Sequence, residues 1–123
     1  MKPIKLATKD FIIRVGDVLA THTNWTIKSK RPCIVLFTAS ACDACQIVKP
    51  VLRRIAFDLI AHVDFYEVDL DQAPELEEAL DIRRVPTLLF CNPSTDMKAS
   101  LIGSRGEDDL RDLIDEFLLA KRA

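Results

Sequence analysis

Cys42-Asp43-Ala44-Cys45 joins an apolar run, Cys33-Ile34-Val35-Leu36-Phe37, to a long amphipathic stretch that begins at Asp43. Two thiols separated by two residues at a strand-to-helix turn suit dithiol–disulfide chemistry. The first turn of a helix offers unpaired N–H groups and the positive end of the macrodipole, and both stabilise a thiolate. The thiolate is the form that attacks a disulfide. The short spacer also lets the second sulfur reach the first, so the pair can close on itself.

The elements that must hold this turn are legible as periodicities. Cys33 to Thr38 reads as a central strand buried on both faces, as in a parallel sheet. Val48, Leu52, Ile55, Ala56 and Leu59 recur at spacings of three and four and predict a helix running to about Ala61, with Pro50 inside it as a kink. Phe11-Ile12-Ile13-Arg14-Val15 suggests a first strand and Asp17 to His22 a short helix. Thr23 to Pro32 is polar and reads as a loop beneath which Trp25 and Ile27 can pack. Val63 to Asp69 is the next strand. Pro74 to Leu80 is a helix with Pro in its first turn and Glu75, Glu77 and Glu78 following. Thr87 to Cys91 and Lys98 to Ile102 form a hairpin across Asn92-Pro93-Ser94-Thr95-Asp96. Leu110, Leu113, Ile114, Phe117 and Leu118 make a closing helix capped by Ser104 or Gly106. The order is β-α-β-α-β-α-β-β-α in one domain, 1–123, of the α/β class.

Composition narrows the function classes. The chain has 123 residues, 49% hydrophobic and 29% charged, with a formal net charge of −2. Neither nucleic acid nor an anionic membrane is the partner that such a balance suggests. No segment approaches the ~18 apolar residues of a membrane span. Met1-Lys2-Pro3-Ile4-Lys5-Leu6 lacks the apolar stretch of about 7–15 residues that a signal peptide needs, so a start at Met1 implies a cytoplasmic protein. Four cysteines in such a chain do not make a disulfide framework. Cys33 and Cys91 lie in apolar strands and read as small hydrophobes, with Cys91, at a strand end, the better candidate for oxidation. His22 and His62 are isolated, and no second ligand pair supports a zinc site.

These features together resemble the thioredoxin family, from about Phe11 to the last helix. The resemblance rests on Cys42-Asp43-Ala44-Cys45 after a strand, Pro50 five residues beyond the second Cys, Val68-Asp69-Leu70-Asp71 at a strand exit, Val85-Pro86-Thr87 where the family carries a cis-proline, and Gly103 after the last strand. It implies a thioredoxin-like fold, a central mixed sheet flanked by helices. It also implies a thiol–disulfide oxidoreductase that reduces protein disulfides, Cys42 attacking and Cys45 resolving. Ala41, Asp43, Ala44, Val85, Pro86 and Gly103 would meet the substrate, with the backbone of Val85 pairing with a substrate strand. The resemblance implies no metal or organic cofactor beyond the Cys42–Cys45 disulfide, an upstream thiol reductase, and a monomer.

The chain departs from the family at four places. Ala41 stands where a Trp is usual, Asp43-Ala44 where Gly-Pro is usual, Leu36 where a buried Asp is usual, and Glu67 where a Lys is usual. A carboxylate at Asp43 disfavours the neighbouring Cys42 thiolate, which predicts a reducing couple nearer ~−270 mV than ~−120 mV. With Leu36 at the acid position, Glu67, which shares a strand face with Val63 and Phe65, is the candidate proton acceptor for Cys45. Two other readings compete: a binding or adaptor module with a vestigial CxxC, and a glutaredoxin-like enzyme using glutathione, the latter from Gly103, Gly106 and the acidic Glu107-Asp108-Asp109.

Overall fold

The computed structural model describes residues 3–103 and 105–119. Five strands form one sheet in the order β1-β3-β2-β4-β5. They are β1 (Ile4–Lys5), β2 (Cys33–Thr38), β3 (Asp64–Asp69), β4 (Thr87–Asn92) and β5 (Met97–Ile102). The helices are α1 (Thr8–Arg14), α2 (Asp43–Leu59), α3 (Pro74–Ala79) and α4 (Glu107–Phe117). The sheet is mixed: β3 runs parallel to both β1 and β2, whereas β4 runs antiparallel to β2 and β5. The apolar run at Cys33–Thr38 is buried at every position because β2 is the middle strand and both of its faces are covered.

Two cores lie on opposite faces of the sheet. Ile34, Leu36, Phe65, Leu88 and Phe90 pack against Val48, Leu52 and Ile55 of α2 and Leu110 and Ile114 of α4. Outside that core, Arg111 bridges Asp58 of α2 and Glu107 of α4 at 2.7 and 2.9 Å, and Arg54 reaches Glu107 at 2.8 Å. The two guanidinium groups hold the Glu107 carboxyl below its usual range. On the other face, Val35, Phe37, Tyr66 and Val68 pack against Phe11 of α1, Leu76 and Ala79 of α3, and Trp25 and Ile27.

The N-terminal segment differs from its expected form. The opening strand is Ile4–Lys5, and Phe11-Ile12-Ile13-Arg14 is helical, not extended. The β-branched pair Ile12-Ile13 favours a strand only where it packs on a pleated surface. Here Phe11 and Val15, four apart, are the fully buried residues, while Ile13 faces solvent. The Asp10 carboxylate accepts the Ala7 N–H at 3.3 Å and so occupies one orphan donor at the helix start. Asp17 to His22 is a turn and bend, not a helix, with the Asp17 carboxylate accepting the Ala20 N–H at 3.2 Å. Trp25 and Ile27 are buried beneath the loop as expected. Gly106 caps α4; Ser104 lies outside the described residues.

Candidate active site

α2 begins at the C-terminal end of β2, so the central strand aims the dithiol at one end of the sheet. Cys42 is the N-cap residue, and its sulfur accepts the Cys45 N–H at 3.1 Å. The sulfur thus occupies the position where an N-cap oxygen ordinarily sits, against the free N–H groups of the first turn. Cys42 and Cys45 are joined as a disulfide with their Cα atoms 5.3 Å apart. Cys42 is 9% exposed and Cys45 fully buried, so the turn presents one sulfur at its edge and shields the other. Ala41 and Asp43 flank the sulfur and are exposed; Ala44 is half-buried. α2 continues through Pro50, whose missing N–H leaves the Gln46 carbonyl without its helical partner.

Sheet register carries the Val85–Pro86 segment to the same end. Phe37 pairs with Thr87, so the residue before Thr87 falls beside the exit of β2 toward Cys42. The Val85–Pro86 peptide is cis. Val85 is half-buried and Pro86 buried, while the Thr87 hydroxyl donates to the Arg84 carbonyl at 2.7 Å. Gly103 closes this edge: its N–H donates to the Pro86 carbonyl at 2.8 Å, with φ +89°. That φ favours glycine, and open space surrounds the position a Cβ would take. Gly103→Ala is therefore expected to cost about 1–2 kcal/mol through backbone strain alone. Urea unfolding measures it, and a cost below a few tenths would mean that the turn relaxes freely.

A contact that the sequence did not announce pins the loop before Cys42. The Asp71 carboxylate accepts both the Ser40 N–H, at 2.9 Å, and the Ser40 hydroxyl, at 2.6 Å. These two bonds hold the Asp71 carboxyl below its usual range. The pairing follows from Ser40 and Asp71 leaving the adjacent parallel strands β2 and β3 at the same end, a juxtaposition that needs the register Thr38–Asp69.

Glu67 pairs in register with Leu36, on the face covered by α2 and α4. It is 9% exposed, and its carboxylate stands 3.6 Å from the Lys49 ammonium. Lys49 is four residues beyond Cys45, one helical turn along the same side of α2. Glu67 and Lys49 line a polar cleft of about 290 Å³ together with Thr38, Gln46 and Asp69. Among the described residues, no three His, Cys, Asp or Glu side chains converge as a metal set would. No helix of the described residues is long and apolar enough to cross a membrane.

Comparison with known proteins agrees with this geometry. The thioredoxin family profile matches residues 17–116. The thioredoxin of Borreliella burgdorferi is 29% identical over 114 residues, covering 93% of this chain and 96% of that protein. Thioredoxin H3 of Arabidopsis thaliana is 30% identical over 108 residues, covering 80% and 88%. A chloroplastic M-type thioredoxin of Spinacia oleracea is 30% identical over 94 residues; the match takes in 76% of this chain and 51% of that longer protein. Among solved structures, a chloroplastic thioredoxin z shares the fold with a TM-score of 0.73 over 94% of both chains, at 18% identity.

Proposed function

Because the chain belongs to the thioredoxin family, whose members are thiol–disulfide oxidoreductases acting on protein disulfides, we propose that it works as a reductant, with Cys42 attacking and Cys45 resolving. The observation that carries this division of labour is the difference in burial: Cys42 lies at the exposed edge of the turn and Cys45 is sealed beneath it. The Cys42 thiolate attacks one sulfur of a substrate disulfide, breaking that bond and expelling one substrate thiolate. The Cys45 thiolate then attacks the Cys42 sulfur and expels the second. Two electrons and two protons pass to the substrate, and the chain is left as the Cys42–Cys45 disulfide. No metal or organic cofactor takes part.

Ala41, Asp43, Ala44, Val85, Pro86 and Gly103 border the attacking sulfur in this reading. Val85 offers its backbone to an extended substrate segment, which adds main-chain hydrogen bonds to a contact otherwise made by small side chains. Ala41 and Ala44 leave the rim shallow, and Asp43 places a carboxylate beside Cys42. The pair accordingly works at the reducing end of the dithiol range. A thiol reductase upstream regenerates the dithiol, and the unit acts in the cytoplasm as a monomer of one domain. The equilibrium potential of the pair, read by alkylation and mass spectrometry across a series of thiol buffers, tests the direction. A value near ~−270 mV supports a reductase, whereas one near ~−120 mV would make the protein an oxidant.

Glu67 is assigned the proton of Cys45. Its carboxylate is buried on the helix-covered face, 3.6 Å from the ammonium of Lys49, on the turn of α2 that follows Cys45. A carboxylate held there can accept a proton when the mixed disulfide is resolved. Glu67→Gln is expected to slow resolution by roughly 100-fold or more while leaving the first attack unchanged. The decay of a preformed mixed disulfide measures this, and an unaltered rate would remove Glu67 from the mechanism.

A further inference from the structure

The two remaining cysteines, widely separated in sequence, face each other across the middle of the sheet. In the antiparallel β2–β4 pair, Cys33 lies directly opposite Cys91. Directly opposed residues of such a pair project to the same face with Cα atoms roughly 4.5 or 5.5 Å apart. Both spacings fall within the range of about 4.4–6.8 Å that a disulfide spans. Both side chains are fully buried in the core that Trp25 and Ile27 cover, and both are free thiols. The opposed Cys91 thiol draws the Cys33 thiol below its ordinary range, and the Cys33 sulfur together with burial pushes the Cys91 thiol up. The Ser29 hydroxyl, buried and without a hydrogen-bond partner, adds to the lowering.

We propose that Cys33 and Cys91 are a second dithiol–disulfide couple, oxidised by hydrogen peroxide, which staples β2 to β4. The Cys33 thiolate attacks one peroxide oxygen; the O–O bond breaks, a sulfenic acid forms at Cys33, and one water leaves. The Cys91 sulfur then attacks the Cys33 sulfur, the S–O bond breaks, and a second water leaves. The thiols lose two electrons and two protons, and peroxide becomes two waters. The oxidant must come from outside, because β2 separates the couples: Cys33 begins the strand and Cys42 follows its far end, five residue steps or about 17 Å away along β2 alone. Exchange with Cys42–Cys45 inside one molecule is therefore excluded by distance.

The cover over the couple is the segment 15–32, which contains neither helix nor strand. It is held by the buried Trp25 ring, with the Lys98 ammonium 4.7 Å from the ring centroid, and by the Lys28 N–H donating to the Val15 carbonyl at 2.7 Å. Lys98 is in turn the register partner of Cys91 on β5. A segment of this kind opens at lower free energy than the strands beneath it, which gives peroxide a route to the sulfurs. Once formed, the link ties the strand that leads to Cys42 to the strand that follows Val85–Pro86. The catalytic frame would then be held together under the oxidising conditions that also close the Cys42–Cys45 pair.

The test uses the full chain and a parallel C42S/C45S variant, each exposed to hydrogen peroxide, alkylated in denaturant and digested without reduction. The expected product in both is a peptide pair joined through Cys33 and Cys91, lighter than its parts by two hydrogen atoms. Quantitative alkylation of both cysteines, sulfinic acid on either one, or a link between two chains would overturn the proposal. The thermal midpoint of the oxidised C42S/C45S protein, in which only the new link is possible, is expected to rise by roughly 10 °C over its reduced form. A link that forms but leaves the midpoint unchanged, or lowers it, would overturn the stapling role.

Discussion

Cys42→Ser is expected to reduce turnover of a protein disulfide to background, a loss on the order of a thousandfold or more, while Cys45→Ala stalls the reaction as a covalent adduct. The two variants part because the sulfurs do different work. A serine hydroxyl at position 42 still accepts the Cys45 N–H and still caps α2, so the fold is retained and only the nucleophile is lost. Cys45→Ala keeps the attacking sulfur and removes the one that resolves the mixed disulfide, so one substrate chain accumulates per enzyme on a non-reducing gel. Cys45 is wholly buried beneath Cys42, so its replacement by alanine leaves the turn with no second thiol. Equal adduct formation by both variants would invert the assignment. Full turnover by Cys42→Ser would return the chain to the adaptor reading.

Phe11→Ala is expected to destabilise the fold by about 3–5 kcal/mol, a large part of the roughly 5–15 kcal/mol available to a domain. Phe11 is fully buried, with its ring centroid 6.4 Å from that of Trp25 and 6.0 Å from that of Phe37. It therefore joins α1, the irregular segment and the central strand β2. Alanine removes the ring, and the surrounding side chains, drawn from three separate elements, relax only partially into the space. Chemical denaturation at constant m measures the loss. A cost under 1 kcal/mol would mean that α1 is a peripheral ornament, whereas the predicted cost would show that the N-terminal segment is part of the core. The neighbouring Gly16 carries the same message at smaller scale. A Cβ there would lie inside the Trp25 ring, so the close approach of chain and indole depends on that glycine.

The dithiol turn and the elements that flank it were legible because their signals are local. Cys33–Thr38 is a run of apolar residues of strand length, and α2 repeats its apolar positions at helical spacing over several turns. The hairpin of β4 and β5 is marked by Asn92-Pro93 and a polar turn, and Trp25 and Ile27 stand out as apolar residues in a polar stretch. The N-terminal segment departs from its local preference for a physical reason. Phe11-Ile12-Ile13-Arg14-Val15 carries strand-like side chains, but the sheet edge beside β3 is already taken by Ile4–Lys5, and what remains to be buried is one helical stripe at Phe11 and Val15. Local preference gave way to the surface available for packing.

What the sequence determined by itself was the chemistry: two thiols at a helix N-terminus, a proline and a glycine to border them, and a chain able to bury a sheet between helices. The pairings that make the site and its surroundings were decided only by tertiary structure. Ser40 finds Asp71 because β2 and β3 end together, Lys49 finds Glu67 because α2 crosses β3, and Cys33 finds Cys91 because β4 runs antiparallel to β2 in one register out of several. Each partner lies some twenty to sixty residues away in sequence, and periodicity has no memory over that distance. A shift of one residue in the register of β4 on β2 would turn Cys91 to the other face of the sheet, away from Cys33.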